Sequence, residues 1–123
     1  MEPDEIVSAV WIPKRHESDH THYRKVGTRL AQAISKVVLG ARLRIDEGVV
    51  TEARVALGSV APTPVRCAVV EEALVGRSVD PEAARLMGED ISPIDDIRST
   101  ARYRSQVAAN VLRAWLETLR ESD

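Results

Sequence analysis

Three cationic side chains lie within six residues of one another in the sequence HYRKVGTRLAQAISK, which covers residues 22–36. Arg24, Lys25 and Arg29 are followed by an alanine-rich run and do not alternate with acidic residues. Clustered ammonium and guanidinium groups can stabilise negative charge and donate hydrogen bonds to carbonyl or phosphate oxygens. The cluster is therefore either a contact for an anionic or carbonyl-rich ligand, or a solvated loop that balances the acidic N-terminus.

The three histidines of the chain also lie in this region. His16, His20 and His22 are separated by acidic residues that include Glu17 and Asp19. Imidazole and carboxylate groups are ligands for zinc and nickel. Because no single regular secondary structure gathers all three imidazoles on one face, we interpret the segment as a solvated polar loop without a metal. A metal-binding module is kept as a third alternative, which predicts zinc or nickel binding that is lost in His20→Ala.

The rest of the sequence shows no complete catalytic set. The six glycines are scattered, so there is no glycine-rich phosphate loop, and no serine occupies a strand-to-helix elbow motif. Cys67 is predicted to be a buried small residue. Asp95 and Asp96 are adjacent, so their side chains diverge, and we assign them to the N-terminus of the last helix. We therefore predict no catalytic residue in this chain.

Length and composition limit the class of protein. The chain has 123 residues, of which 44% are hydrophobic but only 3% aromatic, so we expect one domain over residues 1–123 with an aliphatic core. A formal net charge of −2 gives no general attraction to nucleic acid or to an acidic membrane. The single cysteine excludes an internal disulfide, and the acidic first ten residues contain no long apolar run. We expect a cytoplasmic protein without a signal peptide or membrane span.

Three segments have the composition of strands. Glu5–Ile12 is short and β-branched and is followed by Pro13, which predicts a first strand. Residues 37–45 and 49–57 alternate between apolar and polar side chains and are separated by a three-residue loop, residues 46–48, that ends in glycine. These two strands are predicted to form a hairpin with one wet face, in which every second residue from Val37 to Ile45 and from Val49 to Leu57, including Thr51, faces the core. Four charged residues are expected to pair across that face: Arg42, Arg44, Glu52 and Arg54.

Four segments have the patterns of helices. Thr28 can cap a short helix that carries Leu30, Ala31, Ala33 and Ile34. Pro64, with Thr63 as cap, is predicted to begin a helix that Gly76 ends, and Asp80–Pro81 is predicted to begin one that Gly88 ends. Residues 99–121 contain no glycine or proline, and their apolar residues recur every four positions from Tyr103, which predicts a long amphipathic helix.

The order of these elements predicts the fold class. One strand and a short helix precede the hairpin, and three helices follow it. Strands and helices that are segregated along the chain indicate an α+β protein. We predict a small antiparallel three-stranded sheet that is followed by, and packed against, a cluster of three helices.

Three segments carry a family resemblance: YRKVGTRLAQAISKV, ARVALGSVAPTPVRC and SPIDDIRSTARYRSQVAANVL. They resemble the C-terminal domain of the FAD-binding subunit of molybdenum hydroxylases, a family that includes xanthine dehydrogenase and the flavoprotein of carbon monoxide dehydrogenase. The likeness runs from about Glu5 to about Leu119. Leu30 stands where the family has a second arginine, and Cys67 stands where a small residue such as alanine is usual.

The resemblance implies a cofactor and partners. It implies that FAD is bound by two other domains, and that this domain packs against them and closes one side of the isoalloxazine pocket. Lys25 matches a lysine that approaches the flavin ring, so the resemblance makes it the candidate cofactor-binding residue. Electrons would pass from a molybdenum subunit through an iron–sulfur subunit to FAD. The isolated chain is expected to bind no cofactor and to be inactive.

A protein–protein interaction or dimerisation module without flavin is the alternative, and it predicts a stable homo-oligomer. A piece of a larger subunit would bind a protein that carries the FAD-binding domains, and would not bind FAD alone. It would also expose an apolar patch, for which the surroundings of Trp11 and of the short helix are candidates.

Overall fold

The computed structural model describes residues 2–12, 14–29 and 33–121. Within these ranges the strands and helices follow one another in this order: β1 (Asp19–Gly27), β2 (Ser35–Asp46), β3 (Val49–Gly58), β4 (Val65–Arg66), α1 (Ala68–Leu74), a 3₁₀-helix (Pro81–Leu86), α2 (Met87–Asp90) and α3 (Ala101–Arg120). The strands form one antiparallel sheet in the order β1-β2-β3-β4. The predicted α+β class, with helices packed on a small antiparallel sheet, is confirmed, although the sheet has four strands and not three.

The first strand of the sheet is not the predicted one. Residues 5–12 form no strand, and the edge position beside β2 is taken by Asp19–Gly27, which was predicted to be a loop. β1 pairs with β2 from Asp19 opposite Arg44 to Gly27 opposite Ser35. Most side chains of β1 are polar and exposed, and the strand contacts α3 through the His22 ring and not through an apolar stripe, so its sequence has no apolar alternation to reveal it.

The β2–β3 hairpin is confirmed, with a tighter turn than predicted. Asp46 pairs with Val49, so the connection consists of Glu47 and Gly48 alone. Both residues have positive φ, at 52° and 75°, as expected of the two-residue turn whose twist matches that of the strands. Asp46 therefore belongs to β2 and not to the loop.

A bulge near this turn changes which residues of β3 are buried. Arg44 lies opposite Glu52 and Ile45 lies opposite Val50, so Thr51 has no residue directly opposite. The extra residue reverses the alternation on the turn side of the bulge. Val50 is consequently buried, whereas Val49 and Thr51, which were predicted to face the core, are exposed.

The helical half of the chain follows the prediction in part. The first helix begins at Ala68, not at Pro64, because Val65–Arg66 pair with β3 as strand β4. Asp80 caps the 3₁₀-helix as predicted, and its side chain accepts a hydrogen bond from the N–H of Glu82. Gly88 lies inside α2, so the prediction that it ends a helix is wrong.

The long helix α3 is confirmed and covers one face of the sheet. Thr100 is its N-cap, and the threonine hydroxyl accepts a hydrogen bond from the N–H of Tyr103 at 3.2 Å. Its buried stripe begins at Arg104, since Tyr103 is itself exposed. The core between the sheet and the helices is aliphatic, and its largest members include Leu39, Leu43, Leu57, Leu74, Met87, Leu112 and Leu116.

The short helix predicted after Thr28 falls partly on residues 30–32, which lie outside the described residues. The described residues on either side, 28–29 and 33–34, belong to no helix. Among the helices named above, none has both the length and the apolar character that crossing a lipid bilayer requires.

Candidate functional site

Strand β1 separates the cations of the predicted cluster onto two faces of the sheet. Arg24 lies opposite Leu39, whose side chain points into the core, so Arg24 is on the helix-covered side. Lys25 lies opposite Val38 and is on the outer side of the sheet. Arg29 follows the strand in the loop. The strand therefore places Arg24 and Lys25 on opposite faces of the sheet, with Lys25 on the outer face, although all three cations line one cavity at the end of β1.

The outer face around Lys25 carries small side chains. Across the sheet, Lys25 lies in one row with Val38 and Gly58, and Tyr23 lies in the next row with Gly40. A methyl group placed on Gly40 would meet nothing within 4 Å, and Tyr23 is 69% exposed. This part of the face is consequently open to a flat group that approaches the sheet, with the Lys25 ammonium at its border.

The end of β1 forms a shallow cavity beside Lys25. The pairing with β2 shifts between Val26 and Gly27, and the chain then leaves the sheet. A cavity of about 360 Å³ is lined by residues 24–29, which include Lys25, Thr28 and Arg29. This loop can surround a polar or anionic group at the sheet edge.

The opposite end of the outer face holds a charged network centred on Asp19. The Asp19 carboxylate is buried and accepts hydrogen bonds from Arg44 at 3.0 Å, from Arg42 at 3.2 Å and from the N–H of His16 at 2.9 Å. Burial alone would raise the pKa of Asp19. The bonds from His16 and Arg44 and the two guanidinium charges outweigh that effect and lower the pKa to about 2.

The predicted pairing across the wet face of the hairpin is confirmed. Glu52 lies 2.7 Å from Arg42, 3.0 Å from Arg54 and 3.4 Å from Arg44 between charged nitrogen and oxygen atoms. Asp19 was not expected in this network, because its segment had been predicted to be a loop. Strand β1 is therefore fixed at its beginning by ion pairs, and its Lys25 end lies away from them.

His22 has a packing role. Its ring stacks on Trp115 of α3 with the ring centres 5.4 Å apart and an angle of 12° between the planes. The two rings lie at a groove of about 570 Å³ between β1 and α3, which also includes Arg24, Val111 and Ala114. Within residues 2–12, 14–29 and 33–121, no three histidine, cysteine, aspartate or glutamate side chains are arranged to hold a metal ion.

Cys67 is buried, as predicted, and is chemically inert. Its thiol donates a weak hydrogen bond to the sulfur of Met87 at 3.5 Å. Burial, supported by the nearby carboxylates of Asp90 and Glu71, raises the pKa of the thiol to about 12. A thiol that stays protonated at neutral pH is not a nucleophile.

Asp95 and Asp96 lie at the start of α3, as predicted. Asp95 accepts a hydrogen bond from the N–H of Ala101, and Asp96 accepts bonds from the N–H groups of Arg98 and Ser99. These backbone bonds, with Arg104, lower the pKa of Asp96 in spite of partial desolvation. Both carboxylates are thus structural acceptors, and their position does not suit acid–base catalysis.

Arg104 was missed by the sequence analysis. It is only 4% exposed and donates to the carbonyl oxygens of Lys36 and Ser59 at 3.1 and 2.7 Å, and to Asp96 at 2.7 Å. It thereby joins α3 to the two strands that border the Lys25 end of the sheet. The available signal was an arginine four residues before Ala108, inside the apolar stripe of the helix.

The starts of α1 and α3 do not suit a dinucleotide phosphate. A pyrophosphate is normally held by backbone N–H groups at a helix N-terminus beside glycines. At α1 the N–H groups of Val69 and Val70 already donate to Asp90, and at α3 the N–H group of Ala101 donates to Asp95. Carboxylates at both positions repel a phosphate, so neither helix start is suited to hold a pyrophosphate.

Comparison with known sequences identifies a family. The sequence pattern of the CO dehydrogenase flavoprotein C-terminal domain matches residues 21–119. A xanthine dehydrogenase FAD-binding subunit from Escherichia coli O157:H7 is 31% identical over 111 residues. A protein of Escherichia coli strain K12, also named as a xanthine dehydrogenase FAD-binding subunit, is 29% identical over 110 residues. Each alignment covers 85% of this chain but 37% of the relative.

The fold is similar to that of solved carbon monoxide dehydrogenases. The enzyme from Hydrogenophaga pseudoflava contains a chain that matches with a TM-score of 0.78 at 24% identity, and the enzyme from Oligotropha carboxidovorans one with a TM-score of 0.75 at 25% identity. In each case the match covers 84% of this chain and 37% of the other chain. The chain therefore belongs to the CO dehydrogenase flavoprotein C-terminal domain family.

Proposed function

We propose that this chain serves as the C-terminal domain of the FAD-binding subunit of a molybdenum hydroxylase-type oxidoreductase. Its role would be to close one side of the flavin pocket and to dock the FAD-binding part of the subunit, without catalysing a reaction alone. The family match over residues 21–119 supports this role. The share of the relatives that the chain matches supports it as well. A chain that spans 37% of a FAD-binding subunit leaves most of that subunit to be supplied by another polypeptide or segment.

The observation that carries the proposal is the exposed Lys25 ammonium beside an open sheet face. FAD, when bound, supplies electron transfer through its isoalloxazine ring. A lysine near the N1 and C2 carbonyl side of that ring would stabilise the negative charge of the reduced form and so raise the reduction potential. Within the described part of the chain, the Lys25 side chain makes no hydrogen bond or ion pair, so its charge is available to a ligand.

The same proposal places the remaining redox centres on other subunits. An iron–sulfur cluster commonly needs four cysteine thiolates, and this chain has one cysteine, which is buried and protonated. Electrons would travel from a molybdenum subunit through an iron–sulfur subunit to FAD, and from FAD to NAD or another acceptor. The oxidised substrate would be selected at the molybdenum subunit.

The proposal is tested by Lys25→Ala in a reconstituted subunit. The chain would be produced together with the FAD-binding part of a xanthine dehydrogenase FAD-binding subunit, and the flavin content and reduction potential of the complex would be measured. We expect Lys25→Ala to lower the potential or the flavin content, because reduced FAD loses a stabilising cation. Arg120→Ala, which removes an exposed cation at the far end of α3, is the control and should change neither quantity.

Two results would count against this assignment. Unchanged flavin content and potential in Lys25→Ala would remove Lys25 from the site. Failure of the chain to bind any FAD-binding part, together with a stable homo-oligomer in isolation, would instead favour the interaction module without flavin.

A further inference from the structure

Residues 5–12 have the sequence of a strand but no strand to pair with. The sheet consists of β1 to β4, and the segment contributes to none of them. Its large apolar side chains are exposed, with Trp11 at 94%, Ile6 at 87% and Val10 at 77%. An exposed run of this kind is an aggregation hazard unless something covers it.

The apolar residues of this segment lie on both of its faces. In an extended chain Ile6, Val10 and Ile12 point one way, whereas Val7 and Trp11 point the other way. A strand with one face in water alternates between apolar and polar residues, but a strand that is covered on both faces is apolar throughout. The segment therefore has the pattern of a strand inside a sheet whose two faces are both covered.

The sheet of this chain cannot supply that environment. Its free edge is β1, where Thr21, Tyr23, Arg24 and Lys25 are exposed. A strand added beside β1 would meet the groove of α3 on one face only, and its apolar side chains on the outer face would remain in water. The other edge of the sheet, β4, has only two residues. Pairing between two copies of the segment would give a two-stranded ribbon that is equally uncovered.

We propose that residues 5–12 add as a β-strand to a sheet in the FAD-binding part of the subunit, which this chain does not contain. The inference rests on the proposed function. It is supported by the position of the segment before residue 21, where the family match begins, and by the 37% coverage of the relatives. The partner is thus a protein with an open sheet edge that is lined by apolar side chains on both faces.

The experiment measures backbone hydrogen exchange of residues 5–12 in the 123-residue chain, alone and with the FAD-binding part of a xanthine dehydrogenase FAD-binding subunit. We expect fast exchange in the chain alone and about 100-fold slower exchange in the complex. Val10→Pro removes a backbone donor and should weaken the complex about tenfold or more. Val10→Ile keeps the donor and the apolar side chain, so it should bind like the parent chain.

The outcomes separate this inference from the proposed function. Exchange that stays fast in a complex that retains FAD, or Val10→Pro binding like the parent chain, would overturn the strand addition and leave the proposed function standing. Slow exchange in the isolated chain, whether in a monomer or in a homo-oligomer, would overturn it in favour of pairing within the chain or between copies. Absence of any complex would overturn both. Because the side chain of Val10 is exposed, thermal unfolding of Val10→Pro alone should match that of the parent chain.

Discussion

Neighbouring residues of β1 have different roles because a strand alternates between faces. Arg24 lies at the groove beside α3, whereas Lys25 lies on the outer face among small side chains. Of the two strand cations, Lys25 is the one at the border of the open face, although Arg24 and Arg29 line the cavity beside it. Strand geometry thus agrees with the choice of Lys25 made from the family motif and distinguishes it from Arg24.

Cys67 permits a residue-scale prediction about pH. Its pKa in the folded chain is about 12, above the ordinary value of 9.0, so the unfolded state releases the thiol proton at lower pH than the folded state. Linkage then requires that the free energy of unfolding falls as pH rises from about 9 to 12. We expect Cys67→Ala to show a smaller loss of stability over this range, measured by urea unfolding at successive pH values.

A second measurement isolates the thiol itself. At pH 8 the folded chain should react with a disulfide reagent far more slowly than the urea-unfolded chain, because the thiolate is scarce and the sulfur is buried. Equal reaction rates for the folded and unfolded chains would show that Cys67 is accessible and would contradict the assignment as a structural residue.

At the scale of elements, the ion pairs of Asp19 anchor β1 to the hairpin. The pKa of Asp19 is lowered from 3.8 to about 2, so the unfolded chain takes up a proton at this position before the folded chain does. The stabilisation by Asp19 is thus complete above about pH 4 and is lost as pH falls from about 4 to 2. We expect Asp19→Asn to reduce the pH dependence of stability in this range, measured by chemical unfolding.

The control for this prediction is an aspartate outside the network. Asp4 is exposed in the segment before β1, so Asp4→Asn should keep the acid dependence of the parent chain. Hydrogen exchange adds a local readout, since the backbone at the start of β1 should become less protected in Asp19→Asn. If Asp19→Asn changed neither the pH dependence of stability below about pH 4 nor the hydrogen exchange at the start of β1, the Asp19 ion pairs would not be what holds the strand.

The elements that could be predicted are those whose partners are near in sequence. Alternation of apolar and polar residues predicts the β2–β3 hairpin, and apolar residues at a spacing of four predict α3. Both predictions are confirmed. β1 could not be recognised, because most of its side chains are polar and exposed, and its contact with α3 is a ring stack of His22 and not an apolar stripe. Residues 5–12 present the opposite case. Their apolar sequence predicts a strand that is buried on both faces, but it does not indicate which sheet the strand would join.

For the candidate site, the residue could be predicted from the sequence but its position in the fold could not. Lys25 was identified through a family motif, but its face could be assigned only after β1 was known to be a strand. Thr63 and Pro64 carry a helix-start pattern, yet pairing of Val65–Arg66 with β3 delays the helix to Ala68. Arg104 was missed because a charged residue in an apolar stripe gives no indication of the distant carbonyl groups that it reaches.

At the scale of the whole molecule, the two surfaces that we propose to contact a partner lie outside the folded core. The outer face at Lys25 is open, and residues 5–12 expose apolar side chains. The core itself is closed and aliphatic, and Arg104 joins α3 to the sheet. This distribution is what the proposed function requires, namely a closed core with the open surfaces outside it.

The whole-molecule prediction concerns FAD and the isolated chain. Free FAD carries a pyrophosphate that needs backbone donors, but Asp90 and Asp95 already occupy the N–H groups at the starts of α1 and α3. The cations at the end of β1 are exposed, and exposed charges in water contribute little to affinity. We therefore expect calorimetric titration of the chain with FAD to give no binding tighter than about 1 mM. Addition of the FAD-binding part should produce a complex that retains the flavin on gel filtration, whereas tight capture of FAD by the chain alone would show that it contains a phosphate site of its own.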